Sequence, residues 1–313
     1  MKNIRTDLAI EAAALYNKTS DEISKINGVE VNKTEIKGIT ITHVKILNEN
    51  GEKAVGKKKG NYITIESPEI RNSDENVFKK TEELLTEKLL ELMDLKKNST
   101  VLAVGLGNWN VTPDALGPKV ISNLSVTRHL FEYLPDVLDE KSKPLCAVSP
   151  GVLGITGIET SEIIKGIADM VKPDFIIAID ALASRKMDRI STTIQLADTG
   201  ITPGSGIGNK RRSLDEEYLG APVIAIGVPT VVDAATLAND ALEIFLSNIK
   251  NSLEDDKFKH IDTFDQENRY PLIKKTLYPY VGDLIVTPKE VDSIISDVSN
   301  IIANSINKAI VGY

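Results

Sequence analysis

The sequence is poor in cysteine and histidine, which excludes several kinds of site. Cys146 is the single cysteine among 313 residues, and there are three histidines. One thiol cannot form an intrachain disulfide, and so few cysteines and histidines cannot build a zinc cage of those two residue types. The low cysteine content is typical of a reducing compartment, so we expect a cytoplasmic protein.

Basic charge and long apolar runs are also scarce. Lys and Arg number 37 against 45 Asp and Glu, a net charge of −8. A general nucleic-acid binder needs a basic face that replaces phosphate counterions, and a polybasic membrane anchor needs a similar excess. No apolar run reaches the ~18 residues of a membrane span, and residues 1–15 lack the apolar core of a secretory signal. We therefore expect neither direct nucleic-acid binding nor membrane contact.

The apolar pattern that is present predicts an α/β fold. Thr100–Leu106, Phe175–Ile179 and Pro222–Val228 are nearly all apolar, which is typical of strands covered on both faces. Helical stretches separate them, and this alternation predicts a mainly parallel central sheet covered by helices. Period-two alternation in Ile39–Ile46 and Tyr62–Glu66 predicts an N-terminal antiparallel β addition.

The other segments divide into predicted helices and loops. Residues 1–35 are polar and show no predicted strand, while Asn48–Gly60 and Glu254–Gly282 are predicted to be loops. Amphipathic or apolar-rich stretches predict helices over Asn76–Lys96, Pro118–Tyr133, Thr160–Val171, Asp233–Leu253 and Pro288–Val311.

A carboxylate stands beyond each predicted central strand. Ligands of open α/β sheets bind at the carboxyl ends of the strands, so these residues are candidates for a site. Asp114 lies in the loop after the first strand, Asp180 directly follows the second, and Asp198 follows a weaker strand, Thr192–Leu196. Asp233 precedes a helix and is predicted to be its N-cap.

Asp114 and Asp180 are the strongest candidates, although each has a structural alternative. Asp114 is also placed to cap a helix, and Asp180 is also placed to accept hydrogen bonds from backbone amides. If their loops converge, the two carboxylates form a pair that shares one proton, which supplies a general base and a general acid. A second interpretation adds His129 and makes the three residues the ligands of a divalent metal ion.

Three further motifs carry weaker signals. Asp198-Thr199-Gly200 spells the tripeptide of pepsin-like proteases, but those enzymes are all-β. Gly204–Arg212 is glycine-rich and basic, which leaves a nucleotide-binding regulator as a non-enzymatic alternative, although the P-loop spacing is missing. Cys146 lies in an apolar stretch that favours a buried, inert thiol, and the chain has no G-x-S-x-G elbow.

The segment Gly105–Pro118, GLGNWNVTPDALGP, resembles the germination protease family of endospore-forming bacteria. The resemblance spans nearly the whole chain. It continues in the blocks Val126–Phe131, Ser149–Gly166, Lys172–Arg185, Thr192–Lys210 and Ala221–Ala234.

This resemblance implies an aspartic-type endopeptidase that starts the degradation of small acid-soluble spore proteins and needs no cofactor. It implies the phosphorylase/hydrolase-like fold of the hydrogenase maturation endopeptidases, whose sheet-end acidic pair binds metal. The family's catalytic aspartates fall on Asp114 and Asp180, with Asn108 and Asp198 as expected neighbours of the site. The alternative is a metal-dependent, maturation-type endopeptidase that uses the same acidic pair.

The N-terminal residues RTDLAIE resemble the self-processing site of the same family. The resemblance implies a zymogen that is cut between Asp7 and Leu8. We therefore expect a propeptide over residues 1–7 and one α/β catalytic domain over residues 8–313. It also implies a homotetramer in the cytoplasm of the forespore and in the spore core.

Overall fold

The structure, a computed structural model, describes residues 8, 11, 27–72, 74–203, 212–252 and 266–312. Its frame is a nine-stranded sheet in the order β1-β2-β3-β7-β8-β6-β4-β5, with β9 paired to β8. The strands are β1 Val29–Ile36, β2 Ile39–Ile46, β3 Gly60–Glu66, β4 Val101–Gly105, β5 Leu145–Val148, β6 Phe175–Ser184, β7 Thr193–Ala197, β8 Val223–Asp233 and β9 Ile285–Val286.

Helices follow most of the central strands. Those longer than five residues are α1 Glu49–Val55, α2 Glu75–Leu92, α3 Leu116–Ser122, α4 Arg128–Tyr133, α6 Thr160–Val171, α8 Ala234–Ser252, α9 Gln266–Val281 and α10 Val291–Ile310. The short helices α5 and α7 cover Leu153–Thr156 and Glu216–Leu219. Short 3-10 turns cover Pro68–Asn72, Thr112–Asp114, Pro135–Val137 and Met187–Arg189.

The sheet has a parallel block and an antiparallel block. The strands β5, β4, β6 and β8 run parallel to one another, whereas β7 runs antiparallel to β8, and β1, β2 and β3 continue antiparallel beyond it. The predicted fold class, a mainly parallel core with an N-terminal antiparallel addition, is confirmed. Because β7 runs antiparallel to β8, its last residue lies toward the opposite edge of the sheet from the last residue of β4.

Apolar clusters cover both faces of the sheet. On one face, residues of α2, α3 and α10 pack against the inward side chains of β4, β6 and β8. On the other face, Ile164 and Ala168 of α6 and Leu219 of α7 pack against the same three strands. A smaller cluster, which includes Val55 of α1, lies under the antiparallel block. Burial on both faces explains why the parallel strands are almost continuously apolar.

Two segments that were expected to lack regular structure contain it. The polar region 1–35 contains all but the last residue of β1, an edge strand whose residues are mostly exposed, so its composition carries little hydrophobic signal. Lys37 and Gly38 both have positive φ, at 52° and 83°, as the two-residue turn of a tight hairpin requires. In the expected loop Asn48–Gly60, α1 is capped by the side chain of Asn48 and ends at Gly56.

Two further boundaries differ from the expectation. The predicted loop 254–282 contains α9, whose internal residues Pro271 and Pro279 obscure the helical pattern. The predicted helix Pro118–Tyr133 is two helices, because the chain leaves α3 at Asn123 and restarts at Arg128. Asp74 and Asp233 accept hydrogen bonds from backbone amides at the starts of α2 and α8, and the predicted cap at Asp233 is confirmed.

Candidate functional site

In the parallel block, β4 ends at Gly105, beside Ile179 of the longer neighbouring strand β6. Gly105 is in register with Ile179, and the backbone N–H of Leu106 donates to the carbonyl of Ile179 at 2.8 Å. Asp180 follows at once and is buried, as predicted, with 6% of its surface exposed. Its Oδ1 accepts a hydrogen bond from the backbone N–H of Ala181 at 3.0 Å. Because β6 continues to Ser184, Asp180 lies inside this strand rather than after it, and its buried carboxylate is fixed beside the end of β4.

The loop after β4 brings Asp114 to the same edge. The N–H of Asn108 donates to the carbonyl of Asp114 at 3.0 Å, which folds the loop back on its own start. Gly107 has a φ of +114°, and a Cβ there would lie 1.9 Å from the carbonyl oxygen of Asp114 and 3.2 Å from its Oδ1. Only glycine allows this approach, because any other side chain would displace Asp114.

Close backbone packing holds the loop in place. A Cβ on Gly105 would lie 2.4 Å from the carbonyl oxygen of Gly117, and one on Gly117 would lie 2.3 Å from that of Leu106. The turn Thr112–Asp114 contacts both β6 and β8. Ala115, rather than Asp114, is the N-cap residue of α3, and no side chain caps that helix. The half-buried Asp114 is thus held beside β6 without serving as a helix cap.

A cleft opens on the sheet face that carries Asp180. Asp180 is in register with Gly227 of β8, which is in register with Gln195 of β7, so the three residues form a row on one face. Next to this row is a cavity of about 300 Å³. It is lined by Gly56, Lys57, Lys58, Tyr62, Leu182, Gln195, Ala197, Thr199, Gly200, Ile201, Thr202, Ser213, Ala225 and Gly227.

The floor of the cleft is shaped by Gly227. A Cβ on Gly227 would lie 2.3 Å from Cδ1 of Leu182, so the absence of a side chain lets Leu182 fold over β8. Gln195 is buried, with 8% of its surface exposed. This row was not predicted from the sequence, although a glycine inside an otherwise apolar strand often marks close approach by another group.

The far wall of the cleft carries a tyrosine and a lysine with fixed partners. The Tyr62 hydroxyl donates to the carbonyl of Lys58 at 2.8 Å and accepts from Oγ1 of Thr199 at 3.0 Å. Burial raises the pKa of Tyr62 to about 12, so the phenol stays protonated and remains a hydrogen-bond donor. Nζ of Lys58 lies 2.7 Å from Oδ2 of Asp215.

The two expected neighbours of the site have different positions. Asn108 belongs to the Asp114 loop, where its Oδ1 accepts from the N–H of Asn110 at 3.0 Å. Asp198 follows the antiparallel strand β7 and lies three residues beyond Gln195, in the direction away from Asp180. Its two oxygens accept from the backbone N–H and Nδ2 of Asn61 at 2.7 and 2.6 Å. The structure does not bring Asp198 to the acidic pair.

The remaining candidates lie elsewhere. His129 is exposed on α4, beside the edge strand β5. Cys146 is half-buried within β5, and burial raises the pKa of its thiol. Asp7 and most of the glycine-rich segment Gly204–Arg212 lie outside the described residues. Leu8 is described and has none of its surface exposed.

The described residues contain neither a candidate metal-binding group nor a candidate membrane-spanning helix. In ranges 27–72, 74–203, 212–252 and 266–312, together with residues 8 and 11, no three His, Cys, Asp or Glu residues are grouped so that they could hold a metal ion. Asp114, Asp180 and His129 therefore do not form such a group. Within the same part of the chain, no helix combines the length and apolar character needed to cross a membrane.

The fold and site define an α/β protein with two aspartates beside the carboxyl end of β4, in the parallel block of its sheet. The family model described as germination protease matches residues 8–262 and 257–312. The chain belongs to the germination protease family.

Relatives from three genera agree with this assignment. The germination protease of Clostridium perfringens strain ATCC 13124 is 50% identical over 313 residues, which cover 99% of this chain and 96% of the relative. That of Caldanaerobacter subterraneus subsp. tengcongensis is 52% identical, with 98% and 94% coverage. That of Bacillus cereus strain AH187 is 43% identical, with 98% and 94% coverage. The chain is accordingly an endopeptidase, a hydrolase of spore germination.

One solved structure shows a distant likeness. The crystal structure of a [NiFe] hydrogenase maturation protease, HycI from Thermococcus kodakarensis KOD1, is 21% identical and gives a TM-score of 0.30. The match covers 46% of this chain and 80% of the other. A likeness of this size carries no argument about the activity.

Proposed function

We propose that this protein is an aspartic endopeptidase that begins the degradation of small acid-soluble spore proteins. The observation that carries the proposal is the convergence of Asp114 and Asp180 at one edge of the sheet. Asp180 follows Ile179, which is hydrogen-bonded to Leu106, and Gly107 next to Leu106 lies against Asp114. Two carboxylates beside the carboxyl end of the parallel strand β4 are close to the usual ligand position of this architecture.

The chemistry needs a base, an acid and one water molecule. One carboxylate takes a proton from water, whose oxygen bonds to the carbonyl carbon of the scissile peptide. The other carboxyl group donates its proton to the amide nitrogen as the C–N bond breaks, which leaves a carboxylic acid and an amine. No covalent enzyme intermediate forms, and the reaction requires no cofactor.

The proposal includes self-processing and a cellular location. We propose that residues 1–7 are a propeptide removed by cleavage of the Asp7–Leu8 bond, and that residues 8–313 are the catalytic domain. The mature protein works as a homotetramer in the cytoplasm of the forespore and in the spore core. N-terminal sequencing of the processed chain is expected to begin at Leu8, and any other first residue would contradict the assigned bond.

The acidic pair is tested by replacing each aspartate. Asp114→Asn and Asp180→Asn, assayed on a purified small acid-soluble spore protein, are each expected to lower kcat by about 10²- to 10⁴-fold, the usual contribution of general acid–base catalysis. The matched control is Asp94→Asn, at an exposed aspartate, and should keep normal turnover. If either site variant folds with normal thermal stability and keeps near-normal turnover, the acidic pair is wrong.

A further inference from the structure

A cavity of about 600 Å³ lies between β9, the start of α10 and two of the 3-10 turns. It has twice the volume of the cleft beside Asp180, and none of its described lining residues belongs to that cleft. We name it the β9–α10 cavity. Its floor is apolar, and each floor residue has at most 2% of its surface exposed, whereas its rim carries exposed or half-buried carboxylates. The floor residues are Ile70, Ile190 and Val232, and the rim residues are Asp188, Glu290 and Asp297.

Hydrogen bonds hold the walls of the β9–α10 cavity in place. Nη2 of Arg71 donates to the carbonyls of Met187 and Ile190 at 2.9 and 2.7 Å, which ties together the two 3-10 turns that line the cavity. On the opposite wall, Oγ1 of Thr287 donates to the carbonyl of Thr230 at 2.9 Å. The shape of the cavity is therefore part of the folded protein.

The rim has a net negative charge. Among the described lining residues, three carboxylates face one cation, Arg71, whose guanidinium binds the backbone carbonyls. Arg189 lies in one of the lining turns, but its Nη1 is 3.3 Å from Oε1 of Glu11 and its Nε donates to Oε1 of Glu66 at 3.0 Å. The sum stays negative even with the exposed Lys289, which is next in sequence to the rim. The cavity therefore favours a cationic occupant.

An apolar floor below an acidic rim suits lysine and arginine side chains. Their stems pack on apolar surface while the charged head stays at the water boundary. The volume lies in the range of small-ligand sites, about 300–1,000 Å³, so the cavity holds a few side chains rather than a folded domain. A second copy of this chain is a poor occupant, because its net charge of −8 is of the same sign as the rim.

The β9–α10 cavity lies within reach of the acidic pair. The turn Thr112–Asp114 contacts β8 and α10, and both of these elements line the cavity. On β8, Val232 lies five residues after Gly227, which is in register with Asp180, and this separation is about 16 Å at the rise of a strand. A polypeptide bound at the acidic pair therefore reaches the cavity within about five extended residues.

We propose that the β9–α10 cavity is a docking site for a segment of the substrate protein in which lysine or arginine lies next to apolar side chains. The segment binds outside the acidic pair and contributes to the affinity for the substrate, not to the chemical step. The inference rests on the proposed endopeptidase function, and it names a cationic, apolar segment as a determinant of the substrate.

The first test removes two exposed carboxylates from the rim. The full chain with Asp188→Asn and Glu290→Gln is assayed on a purified small acid-soluble spore protein and on a quenched peptide that copies residues 6–11. That peptide has no cationic side chain and extends only about 13 Å beyond the cleaved bond. KM for the spore protein should rise about 3- to 10-fold with kcat unchanged, and the rise should shrink at high salt. The peptide should be cleaved as before.

A matched control and a second variant complete this test. Asp94→Asn with Glu217→Gln removes the same charges at exposed positions outside the cavity and should leave KM unchanged. Ser293→Trp, at an exposed position of α10 that lines the cavity, should fill it and raise KM for the spore protein by a similar factor. Unchanged KM in both cavity variants, or an equal rise with the short peptide, would overturn the docking site.

Binding measurements separate the docking site from the activity itself. Fluorescein-labelled hexapeptides of alternating leucine and lysine should bind the full chain more tightly than peptides with glutamate for lysine or serine for leucine. Asp188→Asn with Glu290→Gln should remove this preference, and equal affinity of the three peptides for the unchanged chain would overturn the proposal. If nothing is cleaved but this preference depends on the two carboxylates, the docking site stands and the assigned protease activity fails.

The assembly state tests the alternative occupant. Sedimentation of Ser293→Trp should give the same mass as the unchanged chain, since the cavity is not expected to hold a second copy. A lower mass would identify a second copy as the occupant and would overturn the proposal.

Discussion

Asp180 and Asp198 follow strands of the same sheet, yet the structure gives them different surroundings. Asp180 comes at the end of the apolar run of β6, where β4 also ends and Asp114 is folded back. Asp198 comes after β7, which runs the opposite way, and both of its oxygens accept hydrogen bonds from Asn61 of β3. Strand direction therefore decides which aspartate reaches the acidic pair and which fastens two antiparallel strands together.

The largest expected effect contrasts these two aspartates. Asp180→Asn should lower kcat by about 10²- to 10⁴-fold with little change in stability. Asp198→Asn should leave kcat within about threefold and lower the free energy of unfolding by about 1 kcal/mol, because its amide no longer accepts both hydrogen bonds from Asn61. Turnover and urea unfolding of both variants check the contrast. If Asp198→Asn lost as much activity as Asp180→Asn, the proposed difference in role between the two aspartates would be wrong.

A smaller effect is expected from the glycine that lets Asp114 approach the strand end. Gly107→Ala should lower turnover by about 10²-fold. The new Cβ displaces the Asp114 backbone, and a displacement of about 1 Å can lower the reaction rate by that factor.

The matched control is Gly38→Ala, in the hairpin of the antiparallel block. Gly38 also has positive φ, but nothing lies within 4 Å of its added Cβ. Gly38→Ala should lose about 1 kcal/mol of stability from backbone strain and keep its turnover, whereas Gly107→Ala should lose more stability because its Cβ also meets backbone atoms. Equal turnover in the two variants, measured with the same substrate, would show that Asp114 does not need its observed position.

The smallest effect is expected at Cys146, inside the parallel block but away from its carboxyl edge. Cys146 is in register with Leu102, and Leu102 with Ile176, four residues before Asp180. Cys146→Ala should therefore leave turnover unchanged.

The thiol itself should react slowly. Burial disfavours the thiolate and raises the pKa of Cys146, so at pH 8 a smaller fraction is thiolate than in a free cysteine. Alkylation by iodoacetamide should be slower than for the free amino acid and should keep accelerating at higher pH. Fast alkylation that abolishes turnover would contradict a structural role for this side chain.

Much of the fold could be predicted because strands that are buried on both faces have nearly all-apolar sequences. The three apolar strands of the parallel block are covered on both faces, so nearly every residue in them is buried and apolar. The edge strand β1 is mostly exposed, and α9 contains two prolines, so neither segment has the pattern of its class. Their structure depends on neighbours, which a local pattern does not contain.

The candidate site was predicted in part for a similar reason. Asp180 follows apolar strand residues directly, and its burial follows from that position. The direction of β7 leaves no trace in its five residues, so the sequence placed Asp198 after a strand and beside the site without revealing that it lies away from the acidic pair. The pairing of Glu11 with Arg189 joins residues 178 positions apart, and no local spacing could reveal it.

By itself, the sequence determined the class of fold, the family and the two aspartates that we propose for the chemistry, because each is recorded in short runs of adjacent residues. The tertiary structure alone decided which strand ends share an edge, how Gly107 admits Asp114, and where the Glu11 carboxylate is held. These features depend on strand direction and on contacts between distant residues, which are fixed only when the chain packs.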